Sequence, residues 1–248
     1  MKKGIIISGG LGTRLRPITF VTSKNLLPVF DKMLIQYPIE TLKQMGITDI
    51  LITTGVEHAG DFMRCLGSGK DFGCNFTYKL QDEAGGIAQA LALAKDFVGD
   101  ENCAVILGDN IFENDFGRES KMFEDLSKTE NSLAMIFLKH VVDPERFGVA
   151  ALDKNDNITD LVEKPKEFIS SMAQTGLYFY TSDVFQIIKT LKPSARGELE
   201  ITHINEAYLK KDHLMHGVVE GFWQDCGTFE SLWRASNHIA FKKLNHKR

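Results

Sequence analysis

Apolar residues along the chain fall into two rhythms, and in the first half these rhythms alternate. Short runs at Lys3–Ser8 (KGIIIS), 49–54 (DILITT), 75–80 (NFTYKL) and Cys103–Leu107 (CAVIL) have the length and β-branched content of strands. Between them the apolar spacing becomes helical. Ile35, Ile39, Leu42 and Met45 predict a helix over 35–45 stopped by Gly46, and Ile87, Ala90, Leu91 and Ala94 predict another that ends at Gly99. Gly55 and Gly60 bracket a turn into a short helix ending before Gly67. Such alternation implies a mostly parallel sheet, with the wholly apolar CAVIL run at its centre. Beyond residue 130 the strands come with fewer helices, over 132–140, 147–152, 158–162 and 175–180, as in an insertion or lid continuous with the sheet. Helices are expected again over 182–190 and 201–211, and Thr228 can cap a last one.

Composition adds limits more than direction. A chain of 248 residues fits one large α/β domain, able to bury roughly three-quarters of its unfolded surface. It is 43% hydrophobic and 25% charged, and no apolar run approaches the ~20 residues needed to span a bilayer. Lys2 and Lys3 lead into only a short apolar run, so no signal peptide is expected and the location is read as cytoplasmic. Cys65, Cys74, Cys103 and Cys226 form no C-x-x-C pair and are read as buried thiols. His213 and His216 have no further ligand nearby, which favours a surface or core role over a metal site. A net charge of −4 without a basic tract argues against a nucleic-acid surface.

Charge is uneven, however. Residues 1–30 contain Lys2, Lys3, Arg14, Arg16 and Lys24 and no acid before Asp31. Within that stretch, the loop after the first strand carries Gly9, Gly10 and Gly12, whose missing Cβ atoms let backbone N–H groups approach an anion. A positive excess beside a glycine turn suits a polyphosphate. On the glycines alone, the stretch is equally a plain strand-to-helix turn. It is not a P-loop, because Gly12 is followed by Thr13 and Arg14, nor a dinucleotide fingerprint, because Leu15 stands where the third glycine belongs.

The spelling Gly10-Leu11-Gly12-Thr13-Arg14-Leu15-Arg16-Pro17-Ile18-Thr19, followed by Lys24 and by Pro28-Val29, resembles the signature of the sugar-nucleotide pyrophosphorylases. Further stretches of the family pattern follow in order: Gly108-Asp109-Asn110, Asp143-Pro144-Glu145-Arg146-Phe147-Gly148, Glu163-Lys164-Pro165, Thr175-Gly176-Leu177-Tyr178, Arg196 to Thr202 (RGELEIT) and Trp223 to Thr228 (WQDCGT). The resemblance implies an α/β fold with a Rossmann-like, mostly parallel mixed sheet flanked by helices, the nucleotide-diphospho-sugar transferase fold. It also divides the single domain 1–248 into a nucleotide part (about 1–130), a sugar part (about 131–227) and a C-terminal helix (228–241).

The resemblance further implies nucleotidyl transfer between dTTP and glucose 1-phosphate with Mg2+, as in the thymidylyl-transferring branch that opens deoxysugar synthesis, in a homo-oligomer (tetramer or dimer). UTP or another sugar 1-phosphate would suit the same residues. Nucleotide contacts fall to Ser8, Gly9, Gly10, Gly12, Thr13, Arg14, Gln81, Gly86 and Asp109, and sugar contacts to Asn110, Gly148, Glu163, Lys164, Gln174, Thr175 and Tyr178. Arg14, Lys24, Asp109 and Lys164 would carry the chemistry, and Asp109 and Asp225 the metal, although either aspartate alone would read as an ordinary turn residue. A silent sugar-nucleotide sensor is the rival of another class, and the joint presence of Arg14, Lys24, Asp109 and Asp225 argues against it. The chain departs from the family pattern at Ser8, Gln174, His203 and Cys226, and Gln174 bears on which sugar fits. Longer members carry further helices that help build a second nucleotide site; the stop at Arg248 leads us to expect none here.

Overall fold

In the computed structural model, residues 1–245 are described; the stop at Arg248, on which the expected lack of a second nucleotide site rests, lies outside them. The first half runs β1 (Lys3–Ser8), a small hairpin β2 (Pro28–Val29) and β3 (Lys32–Met33), α1 (Gln36–Gln44), β4 (Asp49–Gly55), α2 (Ala59–Leu66) and β5 (Asn75–Gln81). Next come α3 (Ile87–Ala92), α4 (Lys95–Val98), β6 (Cys103–Leu107), β7 (Asn110–Phe112) and α5 (Gly117–Leu126). The second half supplies β8 (Ala134–His140), β9 (Gly148–Leu152), β10 (Ile158–Glu163), β11 (Met172–Tyr180), α6 (Val184–Thr190), α7 (Ile201–Leu209), β12 (Leu214–Val218), β13 (Trp223–Asp225) and α8 (Phe229–Asn245).

Nine strands form one mixed sheet in the order β10-β9-β11-β6-β1-β4-β5, with β8 pairing β11 and β12 pairing β8. β6, β1, β4 and β5 are mutually parallel, whereas β11 runs antiparallel to β6, β8 and β9. Period-two alternation divides the core between the two faces. Ile6, Ile50, Ile52 and Ile106 pack toward α1, α2 and α5, while Ile5, Leu51, Val105, Tyr178 and Tyr180 pack toward α3, α6 and α7. α8 closes a third, smaller cluster with Val29, Leu34, Tyr37 and Ile111. Among the described residues no helix is long and apolar enough to cross a membrane.

Several local expectations change. Gly60 lies inside α2 rather than in the turn before it, and the helix expected from 87 to Gly99 breaks into α3 and α4 at Leu93 and Ala94. β7, α5, β12 and β13 carry too little periodicity in short, mixed segments to be read beforehand. Only Cys103 and Cys226 are buried thiols; Cys65 is exposed on α2 and Cys74 half-buried. β11 starts at Met172, and its pairing with β8 shifts register between Gln174 and Tyr178. Such a bulge turns the intervening residues out of the β8 ladder, and here those are Thr175, Gly176 and Leu177, of which Leu177 still pairs with Ile106 of β6.

Candidate functional site

β1, β4, β5 and β6 all end at the same edge of the sheet, and the loops that follow them meet there. The glycine loop folds back over Lys24, whose Nζ would lie 3.6 Å from a Cβ on Gly10. Gly12 has φ of 61°, and a Cβ there would come within 3.0 Å of Thr19, so the turn demands glycine. Leu15, fully buried, anchors the loop, while Arg14 next to it faces outward.

Behind the loop lies a charged trio. Lys24 donates a short hydrogen bond to the Asp109 carboxylate, and both are largely buried. Asp225, on β13, pairs in register with Asn110 on β7, which places it beside Asp109. Burial works to lower the Lys24 ammonium, but the carboxylates of Asp109 and Asp225 outweigh it and hold the pKa above its ordinary value. Burial likewise works to raise Asp109, and the Lys24 charge overrides it, so this carboxyl stays below the usual range. Asp225 goes the other way: burial first, then the Asp109 charge, push it up, against the pull of Lys24 and Arg14.

Two adjoining cavities open on this edge. The larger, about 570 Å³, brings together Thr13, Arg14, Asn110, Gly148, Glu163, Lys164, Gln174, Thr175, Tyr178 and Asp225, residues that the sequence scatters over more than two hundred positions. The second, about 300 Å³, is lined by Gly9, Gly10, Gly12, Thr13, Gln81 and Gly86, and shares Thr13, Ile87 and Glu198 with the first. Gln81 donates its amide to Gln89 Oε1 at 2.8 Å. Gly86 has φ of 99°, and a Cβ there would meet the Leu199 carbonyl oxygen at 2.5 Å, so its lack of a side chain serves packing as well as access.

Not every candidate lines these walls. Lys24 and Asp109 lie just behind them, engaged with each other. Ser8 is buried and borders a recess of about 220 Å³ with Ser23 and Thr54, which shares Gly9, Gly10 and Gln81 with the second cavity. Asn110 lines the large cavity, but its oxygen is doubly engaged: Oδ1 accepts from Gly176 N and Trp223 Nε1, and Nδ2 donates to Asp109 Oδ1. It braces the wall and the aspartate. Thr175 likewise donates its hydroxyl to the Phe137 carbonyl oxygen at 2.8 Å. Lys164 follows the last residue of β10 at φ of 44°, a strained conformation for a lysine, and its N–H donates to the Phe147 carbonyl oxygen. The Tyr178 hydroxyl is pushed up by burial and by Glu163, and so stays protonated.

Sequence reasoning gave no role to several wall residues. Arg196 clamps Glu200 through both carboxylate oxygens and also reaches Glu198. Trp223 packs against Phe147 with ring centroids 5.3 Å apart. Arg146 and Thr202 complete the lining. All four sit inside quoted motif stretches, which was the only available signal; their contacts join segments far apart in the chain.

Whether a cation fits can be tested on the donor set. No group of three or more His, Cys, Asp or Glu gathers around one point among the described residues, so a cation here would rest on two carboxylates completed by ligand oxygens. Buried Asp109 and half-buried Asp225, the latter pushed up by burial and by the Asp109 charge, with the Lys24 ammonium already bonded to Asp109, mark a site that attracts positive charge. The residues fit a hard divalent ion.

Comparison with known proteins agrees with this geometry. Residues 3–242 match the family model described as nucleotidyl transferase. A glucose-1-phosphate thymidylyltransferase of Neisseria meningitidis is 43% identical over 96% of this chain and 82% of its own length. A solved structure of a proposed glucose-1-phosphate thymidylyltransferase from Bacillus anthracis, in complex with sucrose, superposes with a TM-score of 0.89 at 52% identity, covering 96% of this chain and 94% of that one. A UDP-glucose pyrophosphorylase complexed with UDP-glucose superposes with a TM-score of 0.85 at 27% identity, over 98% and 99% of the two chains.

Proposed function

The chain belongs to the nucleotidyl transferase family, and we propose that it transfers a thymidylyl group from dTTP to α-D-glucose 1-phosphate, giving dTDP-glucose and pyrophosphate. The observation that carries this reading is the junction of two unlike cavities at Thr13 and Ile87. One is a small glycine-walled recess, and the other is larger, polar and flanked by Arg14, Lys164 and Asp225.

In this reaction a phosphate oxygen of the sugar 1-phosphate attacks the α-phosphorus of the nucleotide in line, and pyrophosphate leaves. The nucleophile is already an anion, so the protein needs no general base. It must hold two anions together and stabilise the charge that spreads as the bonds exchange. We assign Arg14 to the departing pyrophosphate, Lys24 to the α-phosphate and Lys164 to the sugar phosphate. Lys24 is held by Asp109 until ligand binds, so we assign it an exchange of partners: it leaves the carboxylate for the phosphate. Gly9, Gly10, Gly12, Thr13, Gln81 and Gly86 are assigned to the nucleotide. Glu163 and Tyr178 are assigned to the sugar, with Gly148 leaving room for it.

Enzymes of this family generally use a divalent metal. We assign Mg2+, with Asp109 and Asp225 to hold it; when bound it supplies neutralisation of the triphosphate charge. A cytoplasmic location and a homo-oligomeric state belong to the same reading, supported by family membership; sedimentation would report the assembly.

The test is pyrophosphate release with Mg2+, crossing dTTP, UTP, CTP, ATP and GTP against glucose 1-phosphate and other sugar 1-phosphates. Release dependent on both dTTP and glucose 1-phosphate is the expected outcome. Preference for UTP would move the base specificity toward that of the UDP-glucose pyrophosphorylase likeness. No release with any pair, from folded protein that still binds dTDP-glucose, would favour a silent sensor.

A further inference from the structure

A line of buried polar side chains runs from the core of the sheet to the wall of the larger cavity. The Tyr180 hydroxyl donates to Asn205 Oδ1 at 2.6 Å, and Asn205 Nδ2 donates to Gln174 Oε1 at 2.8 Å. Gln174 Nε2 then donates to Thr202 Oγ1 at 3.4 Å, and Thr202 donates to Glu163 Oε2 at 2.5 Å. Tyr180 and Asn205 are fully buried, Thr202 is 1% exposed and Gln174 5%.

The direction of this relay is fixed by chemistry. A carboxylate can only accept, so the single Thr202 proton must point at Glu163. Thr202 oxygen is thereby left to accept, which turns the Gln174 amide nitrogen toward it and the amide oxygen toward Asn205. Asn205 in turn offers its oxygen to Tyr180, which has one proton to give. No member can reverse without breaking a bond in the line. Gln174 is the joint between strand and helix, because it stands on β11 while Thr202 and Asn205 stand on α7. Gly148 makes room for the joint: a Cβ there would meet Gln174 Nε2 at 2.6 Å, Thr202 Oγ1 at 2.7 Å and Glu163 Oε2 at 3.1 Å.

We propose that Gln174 is a positioning residue that, through Thr202, holds the Glu163 carboxyl in place as a hydrogen-bond acceptor for a ring hydroxyl, and so determines which sugar 1-phosphates the cavity accepts. The proposal rests on the reading of this cavity as the sugar site. With Oε2 occupied by Thr202, Glu163 has Oε1 left for the ligand, 3.8 Å from Lys164 Nζ. A locked acceptor beside a cation fits a sugar phosphate that presents a hydroxyl close to its phosphate. An analogue without that hydroxyl leaves Oε1 without a hydrogen-bond donor, and is selected against.

Two substitutions test it. Gln174→Met keeps the length and removes every hydrogen bond; Gln174→Glu keeps the acceptor for Asn205 and removes the donor to Thr202. In both, KM for glucose 1-phosphate is expected to rise about tenfold, with KM for dTTP unmoved and kcat within about threefold of wild type. In a Glu163→Gln background, Gln174→Met is expected to add less than about a further twofold, because its route to the sugar is already cut. A monodeoxy glucose 1-phosphate lacking the hydroxyl that Glu163 accepts should lose its disadvantage against glucose 1-phosphate in Gln174→Met. An unchanged sugar KM in a folded Gln174→Met or Gln174→Glu protein overturns the proposal. So does the same fold-loss in the Glu163→Gln background as in wild type, or an equal rise in both KM values. A wild-type chain inactive with every nucleotide and sugar pair overturns the functional reading and this proposal with it, whereas an active wild type with insensitive variants overturns this proposal alone.

Discussion

The two ends of the large cavity are built on opposite principles. At one end, Arg14 and Lys24 from the segment after β1, Asp109 from the turn after β6 and Asp225 from the end of β13 converge at or just behind the wall, and the charges offset one another before any ligand arrives. At the other end the bulged β11 and α7 carry neutral donors and acceptors in a fixed line, with Glu163 as the charged terminus of that line. Charge attracts any polyphosphate and tolerates small shifts in position. A directional line of hydrogen bonds rejects ligands of the wrong pattern, and a shift of a few tenths of an ångström breaks it. Rate is therefore expected to depend on the first end and selection on the second.

The sharpest way to break this division is to remove its central cation. Lys24→Met should lower kcat by about 10² to 10³, the loss seen when one preorganised donor is taken from a developing anion. Steady-state turnover alongside a thermal melt checks it. The variant also leaves Asp109 without its bonded partner and Asp225 with only the Arg14 charge to offset it, so the melt should fall as well. A folded Lys24→Met protein with nearly full turnover would erase the distinction between the two ends.

A matched pair of glycine substitutions sharpens the comparison at a smaller scale. A Cβ on Gly227 would meet Arg14 Nη2 at 2.6 Å and Asp225 Oδ1 at 2.7 Å. Arg14 is long and exposed and can move aside, so Gly227→Ala should cost turnover through displaced charge, by about tenfold, while sugar KM stays put. A Cβ on Gly148 would instead strike three members of the buried relay, which cannot move independently. Gly148→Ala should raise sugar KM by about tenfold and leave dTTP KM unchanged. Equal effects of both changes on both substrates would show one undivided site.

Trp223→Phe is a smaller perturbation. It removes the 2.7 Å bond from the indole N–H to Asn110 Oδ1 while keeping an aromatic ring against Phe147. Asn110 keeps Gly176 N as a donor, so a loss of about 1 kcal/mol in stability is expected from denaturant unfolding, with kcat changed by less than about threefold. A larger kcat loss would mean that the brace also sets the Asp109 carboxylate.

The same contrast explains what could be read from the sequence. The parallel half was legible because each element is local: a β-branched run such as KGIIIS, then glycines, then a basic stretch with no acid before Asp31. The order of the charged site was legible too, since motifs around Asp109 and Asp225 sit at strand ends. Which side chains touch was not. Nothing local in Lys24 foretells that it is held by Asp109, 85 positions away. The relay is harder still, because Glu163, Gln174, Thr202 and Asn205 meet only after β11 bulges and α7 packs over β10. Gln174 was noticed as a departure from a family pattern; its partners came only with the fold. β12 was missed because its pairing with β8 is settled at the sheet edge by a partner 80 residues earlier.

The last and smallest effect separates the two aspartates. Burial and the neighbouring Asp109 charge raise the Asp225 carboxyl above its ordinary 3.8, so between 3.8 and the raised value the native state holds a proton that the unfolded chain has lost. Stability from this group therefore falls as pH rises through that window. Asp109 is lowered, so its contribution is present above 3.8 and is lost only as pH falls below it. Measurements above pH 3.8 thus register Asp225 rather than its partner. A divalent cation binds the ionised form and stabilises the native state by mass action. Mg2+ should raise the melting temperature more at pH 8 than just above pH 3.8, by about 2–4 °C for each kcal/mol of difference. In Asp225→Asn that pH dependence should vanish, while Gln174→Met should retain it in full, because neither aspartate belongs to the relay. A Mg2+ effect equal at both pH values in the unaltered protein would place the cation elsewhere and leave the charged end with Lys24 and Arg14 as the counterweights to its carboxylates.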